Sequence, residues 1–266
     1  MNILENNKTN YKLWADKKLQ GFSNKLDDLI VEIDNPNSLS KSEKAMMHRI
    51  INQHNIVFFQ INKGVDDVKS SIKMLASQVG LGNYEIDSKS DSDGLTEIKI
   101  HDNIKTDAEY IPYTDKQLKW HTDGYYNDDD NLILTWLLFC KNQSENGGLN
   151  KYMDHEIAYI LFNENFDNID DLMLNNAYRI PKNELNGREA IDNPIFSFVE
   201  NKLHMKFSMR EKNIINDSDM YHISHKFTEG QGVITNNIIH MRTSFTNLEK
   251  KNRLLYRLRS KQRMRA

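Results

Sequence analysis

Leu118-Lys119-Trp120-His121-Thr122-Asp123-Gly124-Tyr125-Tyr126 sets an imidazole and a carboxylate two residues apart. On an extended strand, residues i and i+2 project from one face, so His121 and Asp123 can reach the same ion. Imidazole with carboxylate suits Fe(II), with a third ligand from a distant strand and open positions left over. A surface histidine beside an acid has the same spacing. With nine histidines and 38 acidic residues, roughly one His-x-Asp/Glu is expected by chance. The triplet therefore needs support from the rest of the chain.

On either side of this stretch the hydrophobic pattern changes character. Upstream, Ser40-Lys41-Ser42-Glu43 reads as a capping box opening a helix through Ala45, Met46, Ile50 and Ile51. Asn55 then turns the chain into Ile56-Val57-Phe58-Phe59, a buried strand. Val65 to Val79 returns to helical spacing and stops at Gly80 and Gly82, and Ser88 to Gly94 reads as a polar, flexible loop. Leu95 to Ile100 alternates as a half-exposed strand. Downstream, Leu132 to Phe139 reads as a buried strand, Gly147-Gly148 as a tight turn and Asp154 to Phe162 as a helix. Ile195 to Val199 and Leu203 to Phe207 form a hairpin, and Val233 to Ile239 and Leu254 to Leu258 are the last strands. Helices early and short strands late favour a mainly β domain, a β-sandwich or jelly roll with helices packed outside. The expected organisation is one domain over 1–266, with an irregular helical N-terminal part over about 1–54.

Bulk composition narrows the class. The chain has 27% charged and 38% apolar residues and a mean hydropathy of −0.70, so it can fill a core while staying in water. The apolar run from Leu132 to Cys140 is too short to cross a bilayer, and residues 1–7 lack a signal-peptide pattern. Cys140 is the only cysteine, which excludes an internal disulfide and a cysteine-based zinc site and points to the cytoplasm. A net charge of −3 gives no global reason to expect nucleic acid. Lys250 to Arg265 nevertheless holds eight Lys or Arg and no acid, and Asp128-Asp129-Asp130 is a local acidic cluster. Runs of this kind usually form a solvated face or tail.

His240, which follows Val233 to Ile239, is the candidate third ligand, although a histidine there can equally be a core or surface residue. Beyond it, Arg253, Arg257 and Arg259 share one face of an alternating strand, with Leu254, Tyr256 and Leu258 on the other. Arginines facing a cavity need an anionic partner, and a carboxylate best matches a guanidinium. An exposed edge strand with its arginines in water remains the alternative, more so for Arg259 than for Arg253.

Taken together, Leu118 to Tyr126, Asn146-Gly147-Gly148, Gly232 to Phe245 and the pair Arg253 and Arg257 resemble, in order and separation, the taurine dioxygenase-like (TauD/TfdA) family of Fe(II)/2-oxoglutarate oxygenases. The resemblance spans loosely the whole chain. It implies a distorted double-stranded β-helix, with His121, Asp123 and His240 as iron ligands. It implies Arg253 for the distal carboxylate of 2-oxoglutarate and Arg257 for an anionic substrate group. Asn150 lies near the place where relatives offer a hydroxyl to the co-substrate, Tyr126 matches a substrate-lining aromatic, and Arg242 is either a support to the site or a salt-bridge partner. The implied reaction uses O₂ and releases succinate and CO₂, with hydroxylation the default outcome and desaturation or hydroxylation-triggered cleavage also open. The expected substrate is a small polar, amino-acid-like molecule. Retention of Asp123 disfavours halogenation, because halogenating relatives carry a small residue there.

Three alternatives compete. One is a zinc hydrolase on the same His/Asp/His set, and another a non-catalytic jelly-roll binding protein. In the third, the basic C-terminal run binds nucleic acid. A homo-oligomer is compatible with the sequence.

Overall fold

In a computed structural model of the chain, the described residues are 8–62, 64–87, 89–100, 111–184, 187–209, 219–247 and 251–265. Helix α1 (Lys8–Gln20) comes first, then the short α2 (Leu26–Leu29) and strand β1 (Ile30–Ile33). The expected capping box opens α3 (Lys41–His54). Ser40 accepts from the Glu43 amide, Glu43 reaches back to the Ser40 amide, and Asn55 closes the helix in the left-handed region at φ 57°. Such a cap contributes about 1 kcal/mol. Asn55 turns the chain into β2 (Ile56–Ile61), which pairs in parallel with β1 through the α3 crossover. The N-terminal part is thus not only helical: it supplies an edge strand. Helix α4 (Val68–Gln78) ends before Gly80, as its spacing predicts.

Residues 89–95 contain ordered turns. Asp91 accepts from the amides of Asp93 and Leu95, and Lys73 bridges Asp91 and Asp93. Strand β3 (Thr96–Ile98) follows, then β4 (Leu118–His121), β5 (Thr135–Asn142), the two-residue β6 (Asn146–Gly147) and β7 (Asn150–Met153). Helix α5 (His155–Asn165), capped by Asp154, precedes β8 (Tyr178–Ile180) and β9 (Ile191–Asn193). The expected hairpin is β10 (Phe196–Val199) with β11 (Lys202–Met205), turning on Glu200 and Asn201, both at positive φ. The chain ends with β12 (Ile223–His225), β13 (Gln231–Thr235), β14 (Ile239–Arg242), β15 (Phe245–Thr246) and β16 (Leu254–Ser260).

Two sheets dominate. One has six strands in the order β1-β2-β13-β5-β16-β3, the other four in the order β12-β7-β14-β4. They share a core in which Tyr152 and Ile223 of the smaller sheet meet Phe58, Phe139 and Val233 of the larger. A second cluster covers the opposite face of the smaller sheet, where Trp120, Ile239 and Met241 pack against Tyr159 of α5 and Phe196 and Leu203 of the hairpin. Alternation then leaves His240 and Arg242 to face the gap between the sheets. The larger sheet closes tightly at Gly232, where a Cβ would lie 2.2 Å from the Phe59 ring.

Two expectations are corrected here. Val233 to Ile239 is not one strand: Thr235 ends β13, and Asn236 and Asn237 (φ 55°) carry the chain into the other sheet as β14. An asparagine in the left-handed region cannot continue an extended ladder. The basic run is not a solvated tail either, because Arg253, Arg259 and Arg263 are buried, Arg259 against Glu85 and Asp87.

Helix α1 is fastened by a buried ion cluster. Lys18 Nζ lies 2.7 Å from Asp154 and 2.5 Å from Glu156, while Asn55 donates to both carboxylates. Lys18→Met should leave those acids uncompensated and cost about 3 kcal/mol, read as a lower urea midpoint at unchanged slope. Burial pushes the Cys140 thiol up to about 12. Native protein should therefore react with an aromatic disulfide reagent at pH 8 only as fast as it unfolds. None of the described helices is long and apolar enough to cross a membrane.

Candidate metal centre

In the β14/β4 ladder His240 sits directly opposite His121, so register alone brings two histidines 119 positions apart in the chain side by side. A bulge between this pair and Arg242–Leu118 lets both Leu118 and His121 face the cavity. The imidazole centroids are 4.2 Å apart. His121 Nδ1 lies 2.8 Å from the Lys119 carbonyl and His240 Nδ1 lies 3.0 Å from that of Ile238. A ring nitrogen facing a carbonyl must carry the proton, so each Nε2 presents a lone pair. Both point toward Asp123 Oδ1, at 3.6 and 3.7 Å. Those separations are too long for hydrogen bonds and leave room for an ion bonded to each at about 2.1 Å.

Asp123 lies just past β4, with its peptide clamped by Asn237. Its amide donates to Asn237 Oδ1 (2.8 Å), and Asn237 Nδ2 donates to the carbonyls of Asp123 (2.9 Å) and Ile133 (2.7 Å). Burial opposes ionisation of Asp123, but the nearby guanidiniums, Arg257 foremost, hold the carboxyl far below the usual carboxylate range. Burial, with His121 alongside, pushes His240 down to about 3. Two imidazoles and a carboxylate converge, all within 4.8 Å, and no other such group of three occurs among the described residues. Two lone pairs and an anion facing one another repel unless a cation lies between them, so the donor set fits a divalent metal.

The triad opens into a cavity walled by Leu138 of β5, Asn150 of β7, Arg242 of β14, Arg253 just ahead of β16, and Leu255 and Arg257 of β16. Odd-numbered residues of this last segment face inward, as the alternation predicts. Arg257 Nη1 is 3.5 Å from Asp123 Oδ2. Arg242 donates to the carbonyls of Pro112, Thr114 and Lys116 and is no salt-bridge partner among the described residues. Arg253 is 4% exposed and its guanidinium stands 4.8 Å from the centre of the Phe245 ring. No acceptor among the described residues bonds that guanidinium. Burial brings it down to about 10, so it stays charged at neutral pH. Three arginines and one carboxylate thus line one cavity, which leaves an excess of positive charge open to an anion.

The family model described as "Taurine catabolism dioxygenase TauD, TfdA family" matches residues 15–198. This chain belongs to the TauD/TfdA dioxygenase family. The match contains His121 and Asp123 but stops short of His240, Arg253 and Arg257, which reach the same cavity through the fold. Family membership removes the ground for the hydrolase and binding-protein alternatives. No curated protein matches the chain in sequence. Solved structures do resemble it. Asparagine oxygenase in complex with Fe(II), 2S,3S-3-hydroxyasparagine and succinate is 13% identical, with a TM-score of 0.60 over 82% of this chain and 78% of that one. The non-haem iron oxygenase OrfP, in complex with Fe, succinate and (3S)-hydroxy-L-Arg, is 12% identical, with a TM-score of 0.62 over 84% and 81%. A taurine dioxygenase from Burkholderia xenovorans is 13% identical, with a TM-score of 0.55 over 88% and 87%. At such identities the likeness is one of fold.

In this TauD/TfdA dioxygenase the remaining candidates fall in different places. Asn150 lines the cavity, and its Nδ2 donates to the Gly148 carbonyl at 3.1 Å. Tyr126 is not among the lining residues; its hydroxyl is 3.4 Å from Arg259 and its ring lies beneath Arg188. The acidic cluster is partly spent on Lys206, which reaches Asp129 at 3.0 Å and also bonds Asn127 and Asn193. Sequence reasoning missed Asn237, Phe245 and Trp136, whose ring lies 4.6 Å from that of His240. Only Asn237 left a trace, as the second of two asparagines interrupting an apolar run.

Proposed function

We propose that this dioxygenase holds Fe(II) through His121, Asp123 and His240, binds 2-oxoglutarate with Arg253, and hydroxylates a small polar, amino-acid-like substrate with release of succinate and CO₂. The carrying observation is the convergence of two Nε2 lone pairs and one carboxylate beside a buried guanidinium that lacks an anion. The hydroxylated asparagine and arginine bound by two proteins of similar fold favour the amino-acid class. The proposed architecture is a single domain built on a distorted double-stranded β-helix. The core shared by the two sheets, the pairing of β1 with β2 and the anchoring of Lys18 on Asp154 all support it.

When bound, iron and 2-oxoglutarate with O₂ supply an oxidant that puts one oxygen atom into a C–H bond and the other into succinate. This chain's residues provide position and polarity. The Nδ1–H to carbonyl bonds fix the tautomer and aim of each imidazole. Arg257 draws on Asp123 Oδ2, which leaves Oδ1 for the metal. Arg253 offers a bidentate fork to the far carboxylate of the co-substrate, with Asn150 beside it. Ile98, Leu118, Leu138 and Leu255 line the rest and exclude water. Arg257 stands near enough to the metal position to meet an acidic substrate group as well. Tyr126 keeps only the weaker role of a rim residue that positions Arg259. The proposed setting is cytoplasmic, with no role for nucleic acid or membrane.

The test is anaerobic titration of the apoprotein with Fe(II) and 2-oxoglutarate. A metal-to-ligand charge-transfer band should develop, and succinate should form once O₂ is admitted with a hydroxylatable amino acid. Arg253→Met should need on the order of 100-fold more 2-oxoglutarate, because loss of one partner of a buried charged pair costs about 2–5 kcal/mol. Absence of the band in the wild type would sink the reading.

A further inference from the structure

Phe245 carries two cations at once. Its ring centre lies 4.8 Å from the guanidinium carbon of Arg242 and 4.8 Å from that of Arg253. All three side chains are buried, at 6, 4 and 4% exposure. Like charges brought so close in a water-poor site repel, and each guanidinium must be held by something else. Arg242 is held by the carbonyls of Pro112, Thr114 and Lys116. Arg253 has no such acceptor among the described residues. The π face of Phe245 is the attractive partner identified for it, a contact of about 0.5–2 kcal/mol. Phe245 is itself fixed by its own backbone. It pairs with Gly147 in the β15/β6 ladder, and its amide donates to the Asp115 carbonyl at 3.0 Å.

We propose that Phe245 is a positioning residue for the co-substrate: by carrying both guanidiniums on one ring, it holds Arg253 in place while leaving the Arg253 fork free for a carboxylate. A carboxylate or carbonyl partner could also fix Arg253, but it would occupy the N–H groups that the ligand needs. An aromatic face anchors the cation without consuming a hydrogen-bond donor. Arg242, with both Nη groups spent on carbonyls, adds positive potential rather than a contact. The site thereby favours a 2-oxo acid with a second carboxylate over one without.

The inference rests on Arg253 as the anchor of 2-oxoglutarate, and the experiment separates the two claims. Equilibrium binding to the Mn(II)-loaded, full-length protein is measured without turnover for 2-oxoglutarate and for 2-oxobutyrate, which lacks the far carboxylate. Wild type should prefer 2-oxoglutarate strongly. Phe245→Leu should weaken 2-oxoglutarate binding about 10-fold and leave 2-oxobutyrate unchanged, and Phe245→Tyr should restore the wild-type ratio. Pentafluorophenylalanine at position 245 keeps the ring's shape and inverts its quadrupole, so it should reproduce the leucine effect in a folded protein. An equal loss for both ligands, or no loss in either non-natural or leucine variant, overturns the role of Phe245 alone. A wild type that does not distinguish the two ligands overturns the Arg253 reading and this inference with it.

Discussion

His240→Ala is expected to lower Fe(II) affinity by more than about 100-fold and to abolish succinate formation. Removing a group that merely orients a metal ligand typically costs 10–100-fold, so loss of a ligand sets that as a lower bound. The imidazole is directly opposite His121 in the ladder and stacks near Trp136 and Tyr152. Its removal takes one donor from the ion and opens a gap between aromatic side chains. Stability of the apoprotein should change far less than metal affinity, because the bonds of β14 to β4 and β7 are backbone bonds. Fe(II) titration beside urea unfolding of the apoprotein reads both. Near-normal metal affinity would exclude His240 as a ligand.

Asn237→Ala is expected to be the most damaging change that touches no proposed ligand. The side chain is 1% exposed and makes three hydrogen bonds to the main chain of two residues, Asp123 and Ile133. Alanine would orphan one amide and two carbonyls in the interior, at about 1–3 kcal/mol for each group that water cannot reach. It would also place a Cβ residue without the compensating amide in the left-handed region. A loss of about 3 kcal/mol and a 10–100-fold fall in Fe(II) affinity follow, because Asp123 is no longer fixed. Asn237→Gly separates the two causes: it tolerates the positive φ, so any recovery measures backbone strain, and the remaining loss belongs to the clamp. If glycine restored Fe(II) affinity fully, the clamp would be irrelevant to the site.

Much of the fold could be read locally. Ser40 and Glu43 announce α3 because both halves of the capping box lie within one turn of helix. Alternation correctly puts Arg257 and Arg259 on one face of β16, because a strand's period of two is a property of its own backbone. Arg253, one residue ahead of the strand, lines the same cavity as Arg257. The same reasoning failed where long-range partners decide. Arg259 has the same parity as Arg253, yet Glu85 and Asp87 claim it, from a loop about 170 positions earlier in the chain. The basic run looked like a tail because eight like charges rarely bury. Arg253 and Arg259 bury because an aromatic ring and two acids from other segments meet them. Val233 to Ile239 looked continuous because apolar content does not reveal that Asn237 leaves the extended region to serve Asp123.

From its order of residues alone this protein has a mainly β body, early helices with their caps, and a His121/Asp123 pair able to share an ion. Those properties depend on dihedral preferences and on periods of two and 3.6 that span a few residues. Tertiary structure alone decided that His240, of nine histidines, stands opposite His121, that Asn237 locks Asp123, and that Arg253 is left without an anion. Pairing across a sheet is fixed by how whole strands bury their faces against one another, and no local period records which distant strand will lie alongside.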